Sequence, residues 1–255
     1  MNLHELVAVV SGGASGLGEA TARSISERGG KVVLVDRDRQ KGTALAEQIG
    51  SQAIFCEADV TSEQDIRSML DRAYEVFGRV NALVNCAGVV IGEKVVGRDQ
   101  VHDFVSFKKV MDVNVMGTFN MIRLISEKMQ QNEPNALGER GVIINTSSIA
   151  AFDGQIGQAA YSASKGAVAS MTLPISRELA RYGIRVMAIA PGLFETPMFE
   201  QLPESAREAL GQQTPFPKRL GQPAEFAQLV LSIVENTMLN GEVIRLDGAI
   251  RMQPK

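Results

Sequence analysis

Short apolar runs recur along the chain, each made mostly of β-branched or small residues and each followed by a polar or glycine-containing turn. Continuous runs of this kind, without polar alternation, are typical of strands buried on both faces of a sheet. Helical stretches fill the intervals, and this alternation predicts βαβ units around a parallel sheet with helices on both faces. The predicted strands cover residues 7–10, 32–35, 53–57, 82–85, 141–146, 184–190 and 243–246.

Capping residues mark two of the predicted helix starts. Thr-Ser-Glu at 61–63 supplies an N-cap hydroxyl, and Pro-Ala-Glu at 223–225 places a proline in a first helical turn. Two segments carry no regular pattern: 92–102, which is polar and charged, and 193–217, which contains four prolines. Irregular insertions beside the carboxyl edge of a parallel sheet form binding loops, so we expect both to contact substrate. No repeat or linker interrupts the pattern, and residues 1–255 are predicted to form a single domain.

Composition agrees with one enzyme domain and excludes several other classes of protein. A chain of 255 residues with 45% hydrophobic content can bury a large core. The net charge is −3 and both signs are interspersed, so the sequence shows no basic segment of the kind that binds nucleic acid or an anionic membrane. No apolar run approaches the roughly eighteen residues that span a bilayer, and no leader precedes the first strand, so we expect a soluble, cytoplasmic protein.

The cysteines and histidines offer no alternative chemistry. Cys56 and Cys86 lie in or beside predicted buried strands, and their spacing indicates no zinc site. No group is placed to activate Cys86, which we interpret as a packing residue. Because His4 and His102 are the only histidines, the sequence disfavours a Ser-His-Asp hydrolase. We therefore expect no bound metal and a reducing compartment.

A glycine-rich turn follows the first predicted strand and leads into a helical stretch at 19–28. The glycines of the turn are Gly12, Gly16 and Gly18. A strand, a glycine turn and a helix N-terminus together hold a dinucleotide pyrophosphate on backbone N–H groups. The spacing here is Gly-x3-Gly-x-Gly, which differs from the commoner Gly-x-Gly-x-x-Gly. The pattern indicates a nucleotide-binding sheet of the Rossmann type.

Asp36 closes the second predicted strand, eighteen residues beyond Gly18. An acidic side chain at this place accepts hydrogen bonds from the adenosine ribose hydroxyls and repels a 2′-phosphate. The neighbouring Arg37 is a counter-argument, because arginine accommodates that phosphate. The glycine turn itself carries no lysine or arginine, so the sequence favours NAD over NADP.

Tyr161 and Lys165 stand four residues apart, and Ser148 lies thirteen residues before the tyrosine. Four residues are about one helical turn, so the phenol and the ammonium share one helix face. A neighbouring positive charge favours the phenolate, and lowering a tyrosine pKa from ~10 to about 7 takes roughly 4 kcal/mol. A lysine together with a cationic cofactor ring can supply that stabilisation. The residues alone leave Ser147 open as a rival to Ser148, since successive side chains near a strand end face opposite ways.

Several short motifs occur in one order along the chain. They are the glycine turn, Asp59-Val60, Asn85-Cys-Ala-Gly88, Asn114, the Ser148/Tyr161/Lys165 set, and Pro191-Gly192 followed by Thr196-Pro-Met198. In this order and at these spacings, the chain from Leu6 to the C-terminus resembles the short-chain dehydrogenase/reductase family. Within the family, residues 158–165, 190–194 and 240–252 are similar to members that act on 3-hydroxyacyl-CoA thioesters and hydroxysteroids. The resemblance implies a doubly wound, seven-stranded Rossmann fold and an alcohol–ketone oxidoreductase.

The resemblance also implies a role for each matching residue. Tyr161 exchanges a proton with the substrate hydroxyl, and the family spacing selects Ser148 over Ser147 to hold the reacting oxygen. Lys165 lowers the tyrosine pKa and binds the nicotinamide ribose, while Asn114 orders a water between Lys165 and solvent. The remaining implied cofactor contacts are Gly12, Ser15, Gly16, Leu17, Gly18, Asp36, Asp59, Val60, Cys86, Ala87, Gly88, Phe194 and Thr196.

Three functions remain open at this point. The first is NAD-dependent interconversion of an (S)-3-hydroxyacyl-CoA and a 3-oxoacyl-CoA. The second is a 3-oxoacyl-carrier-protein reductase or a hydroxysteroid or general alcohol dehydrogenase; such reductases usually prefer NADPH, which Asp36 disfavours. The third is a non-catalytic NAD(H)-sensing protein, a kind that tends to lose the tyrosine or the lysine. The family is commonly tetrameric, and residues 245–251 resemble a subunit contact, so a homotetramer is expected.

Overall fold

Seven strands form one parallel sheet in the computed structural model, which describes residues 1–197 and 204–254. The strands are β1 Val7–Ser11, β2 Lys31–Asp36, β3 Ala53–Glu57, β4 Ala82–Asn85, β5 Gly141–Thr146, β6 Ile184–Pro191 and β7 Val243–Leu246. Their order in the sheet is β3-β2-β1-β4-β5-β6-β7. The chain therefore winds in one direction from β1 and in the other from β4. A doubly wound sheet of this kind binds its ligand at the crevice where the direction changes.

The doubly wound α/β fold predicted from the sequence is confirmed. Each predicted strand is present, and its ends differ from the predicted ones by one residue at most. Val9 of β1 lies beside Val33 of β2 and Leu83 of β4 in the parallel register. These three side chains share one face of the sheet, and Val10 faces the other, because successive residues of a strand alternate. Each face has its own apolar core.

Helices cover both faces. Within the described residues they are α1 Gly16–Glu27, α2 Arg39–Ile49, α3 Glu63–Phe77, α4 Phe104–Met111, α5 Thr118–Met129, α6 Ala159–Leu179, α7 Glu204–Gly211 and α8 Pro223–Glu235. Ile25 of α1 and Phe226 of α8 are fully buried against one face. Leu70 of α3 and Ile125 of α5 are buried against the other. None of the described helices is both long and apolar enough to cross a membrane.

The two predicted caps are present. At the start of α3, the Ser62 side chain accepts a hydrogen bond from the Asp65 N–H. At the start of α8, Gln222 and Glu225 form a capping box. Both caps satisfy N–H groups that have no partner inside the helix, which is why these helices begin where the sequence indicates.

The two segments predicted to be irregular differ from each other. Segment 92–102 contains no helix or strand beyond one bridge between Val96 and Val101. Segment 193–217 contains α7, so the prediction of irregular structure is wrong for that part. The alanine, leucine, arginine and glutamate residues of α7 are strong helix formers, and they form a helix between the flanking prolines. Residues 198–203, including Met198 of the family motif, lie outside the part of the chain that the structure describes.

Candidate active site

A cleft of about 530 Å³ opens at the carboxyl edge of the sheet, where β1 and β4 lie side by side. Parallel strands direct their carboxyl ends to this edge, so the loops that follow them meet there. The predicted site residues that line the cleft are Gly12, Ser15, Gly16, Leu17, Gly18, Asp36, Asp59, Val60, Cys86, Ala87, Gly88, Ser148, Tyr161, Lys165, Phe194 and Thr196. Asn114, the remaining predicted residue, lies behind the cleft wall, where it is fully buried.

The glycine turn brings two backbone segments closer together than any side chain would allow. Gly12 has a φ of +63°, and a Cβ on it would lie 2.7 Å from the Ala87 nitrogen. A Cβ on Gly18 would overlap the Gly12 carbonyl oxygen. Glycine is therefore required at both positions, for space and, at Gly12, also for the left-handed conformation.

Helix α1 begins inside this turn. It starts at Gly16, three residues before the predicted segment 19–28, because the glycine turn continues directly into the first helical turn. Ser15 is the N-cap residue, and its side chain makes no capping hydrogen bond. The first N–H groups of α1 are thus left without a side-chain cap at the positive end of the helix dipole. This cradle fits a dinucleotide diphosphate.

Asp36 ends β2 at the rim of the cleft. One of its carboxylate oxygens accepts the Ala14 N–H at 3.1 Å, and the other accepts the Asp38 N–H at 3.0 Å. Arg37 extends away from Asp36 toward Asp59, with 3.6 Å between the guanidinium and the carboxylate. The arginine side chain is 75% exposed, so this pair holds it only loosely. The rim therefore presents a fixed carboxylate and a mobile guanidinium.

Asp59 and Val60 follow β3 on the same side of the cleft. Burial favours the neutral carboxyl of Asp59, but hydrogen bonds from Thr61 and the charge of Arg37 outweigh burial and hold its pKa below the usual range. Val60 is buried, and its carbonyl oxygen accepts a hydrogen bond from Asn120. An ionised acceptor beside an apolar side chain suits the amino edge and the face of an adenine ring.

The two rival serines have different partners. Ser147 is 1% exposed, and its hydroxyl donates to the Lys165 carbonyl oxygen at 2.8 Å. Ser148 begins a 3-10 turn, where its hydroxyl oxygen accepts the Ala150 N–H at 3.1 Å. The same hydroxyl favours the ionised form of the Tyr161 phenol and so opposes the rise of its pKa. Ser148 is therefore the serine that meets the tyrosine, and Ser147 fastens the strand end to α6.

Tyr161 and Lys165 lie on one side of the cleft, as their spacing predicts. The Lys165 Nζ is 5.8 Å from the centroid of the Tyr161 ring and donates a hydrogen bond to the Thr146 carbonyl oxygen at 2.7 Å. Lys165 is 5% exposed. Burial lowers the pKa of its ammonium to about 8, because the charged form loses hydration that a single carbonyl only partly replaces.

The surroundings of Tyr161 favour the neutral phenol in the protein without ligands. Burial raises the pKa of Tyr161 above its ordinary value, and the Ser148 hydroxyl opposes this without reversing it. Lys165 interacts with the ring face and with Thr146. The structure therefore leaves the acidification of the phenol to a further positive charge in the cleft.

Asn114 lies in a π-helical turn, Asp112–Gly117, that interrupts the path from α4 to α5. Its side-chain oxygen accepts the Val89 N–H at 2.8 Å, and its amide nitrogen donates to the Val89 carbonyl at 2.8 Å and to Ser164 Oγ at 2.9 Å. Asn114 thus ties the loop after β4 to α6, the helix of the tyrosine and lysine. π-Turns of this kind occur frequently at functional sites.

Cys86 is interpreted from the sequence as a packing residue, and its surroundings agree. Burial raises the pKa of its thiol to about 11, so the thiolate is scarce at neutral pH. The Thr146 hydroxyl lies 3.6 Å from the sulfur. Both Cys56 and Cys86 are free thiols.

The cleft wall also contains residues that were not predicted from the sequence. Lys109 and Val113 line the cleft from the helix that leads to Asn114, and Val89 lines it after β4. Lys109 and Val113 are four residues apart, which places them on one helix face. Counting back by one helical turn from the residue before Asn114 is the signal that would have found Lys109.

The chain is similar to known proteins over most of its length. Residues 6–207 match the family model described as short chain dehydrogenase. The human protein named 3-hydroxyacyl-CoA dehydrogenase type-2 is 57% identical over 251 residues, which are 98% of this chain and 96% of that protein.

Two solved structures are similar over nearly the whole chain. The 3-hydroxyacyl-CoA dehydrogenase type-2 of Mycobacterium avium has a TM-score of 0.94 and 42% identity, covering 98% of this chain and 97% of that one. The 3-ketoacyl-(acyl-carrier-protein) reductase of Brucella melitensis, complexed with NADH, has a TM-score of 0.86 and 32% identity, covering 97% and 98%. The chain belongs to the short-chain dehydrogenase family and is a nicotinamide-dinucleotide-dependent oxidoreductase that interconverts an alcohol and a ketone.

Proposed function

We propose that the chain interconverts (S)-3-hydroxyacyl-CoA and 3-oxoacyl-CoA with NAD, using Tyr161 as the general acid and base. The observation that carries this proposal is the Tyr161 phenol, which lies with Ser148 and Lys165 in a cleft that Asp36 borders. The substrate class is supported by the likeness to proteins named 3-hydroxyacyl-CoA dehydrogenase type-2.

The cleft residues from Asp36 to Thr196 would hold the cofactor. The uncapped start of α1 would bind its diphosphate, and Asp59 with Val60 would bind the adenine. Asp36 accepts hydrogen bonds from the adenosine ribose and repels a 2′-phosphate, which favours NAD. When bound, NAD supplies the hydride acceptor of the reaction.

The proton of the substrate hydroxyl goes to Tyr161. Ser148 donates a hydrogen bond to the reacting oxygen and holds it against the phenol, so that little motion is needed for proton transfer. In the reverse direction Tyr161 returns the proton to the alkoxide. The positive charges of Lys165 and of the oxidised nicotinamide both favour the phenolate and oppose the effect of burial.

Lys165 and Asn114 support this proton transfer. Lys165 binds the hydroxyls of the nicotinamide ribose, for which its ammonium has donors beyond the one that Thr146 accepts. Gly88 has no side chain to fill the space beside both residues; a Cβ there would lie 3.2 Å from Asn114 Oδ1 and 3.5 Å from Lys165 Nζ. The water link through Asn114 stays a prediction.

A carrier-protein substrate is the second candidate, favoured by the likeness to the Brucella melitensis reductase. Steady-state kinetics separate the candidates. We expect the highest kcat/KM with acetoacetyl-CoA and 3-hydroxybutyryl-CoA, and lower values with a hydroxysteroid or an acetoacetyl carrier protein. Faster turnover of the carrier-protein substrate with NADPH would overturn the proposal. No turnover of any of these substrates would show that the alcohol and ketone belong to another class.

The cofactor preference has its own test. The Asp36→Asn variant keeps the size of the side chain and removes its charge, so the preference for NAD over NADP should fall about ten-fold or more. Asp38→Asn, two residues away on the surface, is the matched control and should leave the ratio unchanged. An unchanged ratio in Asp36→Asn would contradict the assignment of NAD.

We also propose that the chain forms a homotetramer. Ile250, in the closing segment expected to form the contact, is 1% exposed in its own chain. The apolar surface for a contact therefore has to come from other residues, and Phe104, Val105 and Met116 are 59–78% exposed. Light scattering measures the mass directly, and a monomer would contradict the proposal. The cytoplasmic location stays a prediction.

A further inference from the structure

The loop between Ser148 and Tyr161 carries two apolar side chains that the core does not bury. Phe152 is 52% exposed and Ile156 is 53% exposed. Both ends of the loop, Ser148 and Tyr161, line the cleft, so the loop connects two residues of the site. An exposed apolar pair on such a loop suits the acyl part of a substrate.

Two distant parts of the chain hold this loop. From the C-terminal side, the Pro254 carbonyl oxygen accepts the Ile156 N–H at 3.0 Å. From the segment before α4, the Glu93 N–H donates to the Gly157 carbonyl oxygen at 2.8 Å. The position of the loop thus depends on contacts that lie far away in sequence.

Arg245 connects the loop, the last strand and the C-terminal tail through one side chain. Its Nε donates to Asp247 Oδ2 at 2.7 Å. One Nη donates both to Asp153 Oδ2 at 2.5 Å and to the Ile250 carbonyl oxygen at 3.1 Å. The guanidinium carbon lies 5.3 Å from the centroid of the Phe152 ring.

The residues on either side of Arg245 explain which face of the sheet its side chain points to. Ile244 and Leu246 pack against the core on one face of the sheet, so Arg245 between them points to the other face. The side chains of Arg245 and Asp153 are 22% and 20% exposed, and that of Asp247 is 7% exposed. At this burial the charges are weakly screened, and the planar fork of the guanidinium fixes the direction of each bond.

The geometry points to Arg245 as a positioning residue for the substrate. It does not line the cofactor cleft, and it holds Asp153 and Phe152 in the loop that joins Ser148 to Tyr161. The inference rests on the proposed function, since it takes the acyl chain to enter past this loop. Arg245 therefore governs the affinity for the acyl substrate and leaves the affinity for the cofactor unchanged.

Arg245→Met and Asp153→Asn test this role. With NADH and acetoacetyl-CoA, the KM for acetoacetyl-CoA should rise on the order of ten-fold in each variant, with a smaller change in kcat. The double variant should be no worse than the worse single one, because both changes break the same contact. Arg245→Lys keeps the charge without the fork and should fall between wild type and Arg245→Met.

Two binding readouts separate positioning from general damage. The Kd for NADH, followed by its fluorescence, should stay within about two-fold of wild type, and hydrogen exchange should rise in residues 152–158. Arg67→Met is the matched control, since Arg67 also bonds two carboxylates, those of Glu63 and Glu127, on a distant surface. It should change neither the KM nor the exchange of the loop.

An unchanged KM with raised loop exchange would overturn the inference, and so would equal weakening of NADH and acetoacetyl-CoA binding. Asp153→Asn is the milder change and keeps the test valid if Arg245→Met does not fold. If wild type does not turn over acetoacetyl-CoA, the proposed substrate is wrong. In that case unchanged loop exchange in Arg245→Met also overturns the role of Arg245.

Discussion

Two buried cations at opposite ends of the sheet differ in the number of partners that their charged groups have. Arg185 lies at the start of β6, with 7% of its side chain exposed, and Lys165 lies near the carboxyl edge, with 5% of the residue exposed. Arg185 pairs with the equally buried carboxylate of Glu139 at 2.7 Å. It also donates to backbone carbonyl oxygens of Ile233, Val234, Asn236 and Leu239.

Lys165 is poor in partners by comparison. Among the described residues, its ammonium donates to one group, the Thr146 carbonyl oxygen, and no carboxylate pairs with it. A buried charge with most of its donors used holds a structure together, whereas one with most of its donors unused is available for a ligand. The difference marks the carboxyl edge as the reactive end of the molecule.

The largest expected effect is a loss of stability when Arg185 is replaced. Arg185→Met leaves Glu139 and several carbonyl oxygens buried without their partner, so the free energy of unfolding should fall by about 3–5 kcal/mol. Denaturant unfolding measures this change, with Arg67→Met as a surface control that should change much less. The kcat of the folded variant should be unchanged. A large loss of kcat without loss of stability would break the comparison.

The next effect is a dependence of stability on pH that comes from Lys165. Its folded pKa of about 8 lies below the ordinary lysine pKa of 10.5. As pH rises from about 8 to 10.5, the unfolded chain therefore holds more protons than the folded one, and stability rises, by at most about 3 kcal/mol.

The protein without cofactor should therefore gain stability over this pH window relative to Lys165→Met. Both proteins should carry Tyr161→Phe, so that ionisation of the phenol does not contribute to the difference. Equal pH profiles would show that Lys165 is hydrated or paired, and the comparison with Arg185 would fail.

A smaller contrast of the same kind separates the two serines. Ser148→Ala removes the hydroxyl that meets Tyr161, and turnover should fall about 100-fold with little change in stability. Ser147→Ala removes a hydrogen bond to the Lys165 carbonyl and should cost about 1 kcal/mol of stability with turnover nearly intact. Kinetics of both variants measure the change in turnover, and denaturant unfolding measures the change in stability. The reverse result would assign the substrate contact to Ser147.

Much of the fold follows from local pattern. The apolar runs predict all seven strands, because strands covered on both faces are mostly apolar and the less buried edge strands β3 and β7 still contain short apolar runs. Helix α7 is missed because the prolines around it are a stronger local signal than the short run of helix formers.

The site is predictable where a motif fixes backbone geometry. The glycine turn is an example, since close approach of Gly12 to Ala87 excludes side chains. The pKa of Tyr161 is not predictable in this way, because spacing shows which groups are near but not how much water burial removes. The partners of Asn114 likewise depend on a π-turn that brings Val89 and Ser164 together from far apart in the chain.

The proton-transfer role of Tyr161 rests on its phenol becoming acidic only when a positive charge joins Lys165 in the cleft. Ultraviolet difference titration of wild type against Tyr161→Phe, with and without saturating NAD, measures that ionisation directly. Without NAD, the phenol should ionise above the ordinary tyrosine pKa of 10, and with NAD its pKa should fall well below that value. A pKa that NAD leaves unchanged or raises would contradict the mechanism.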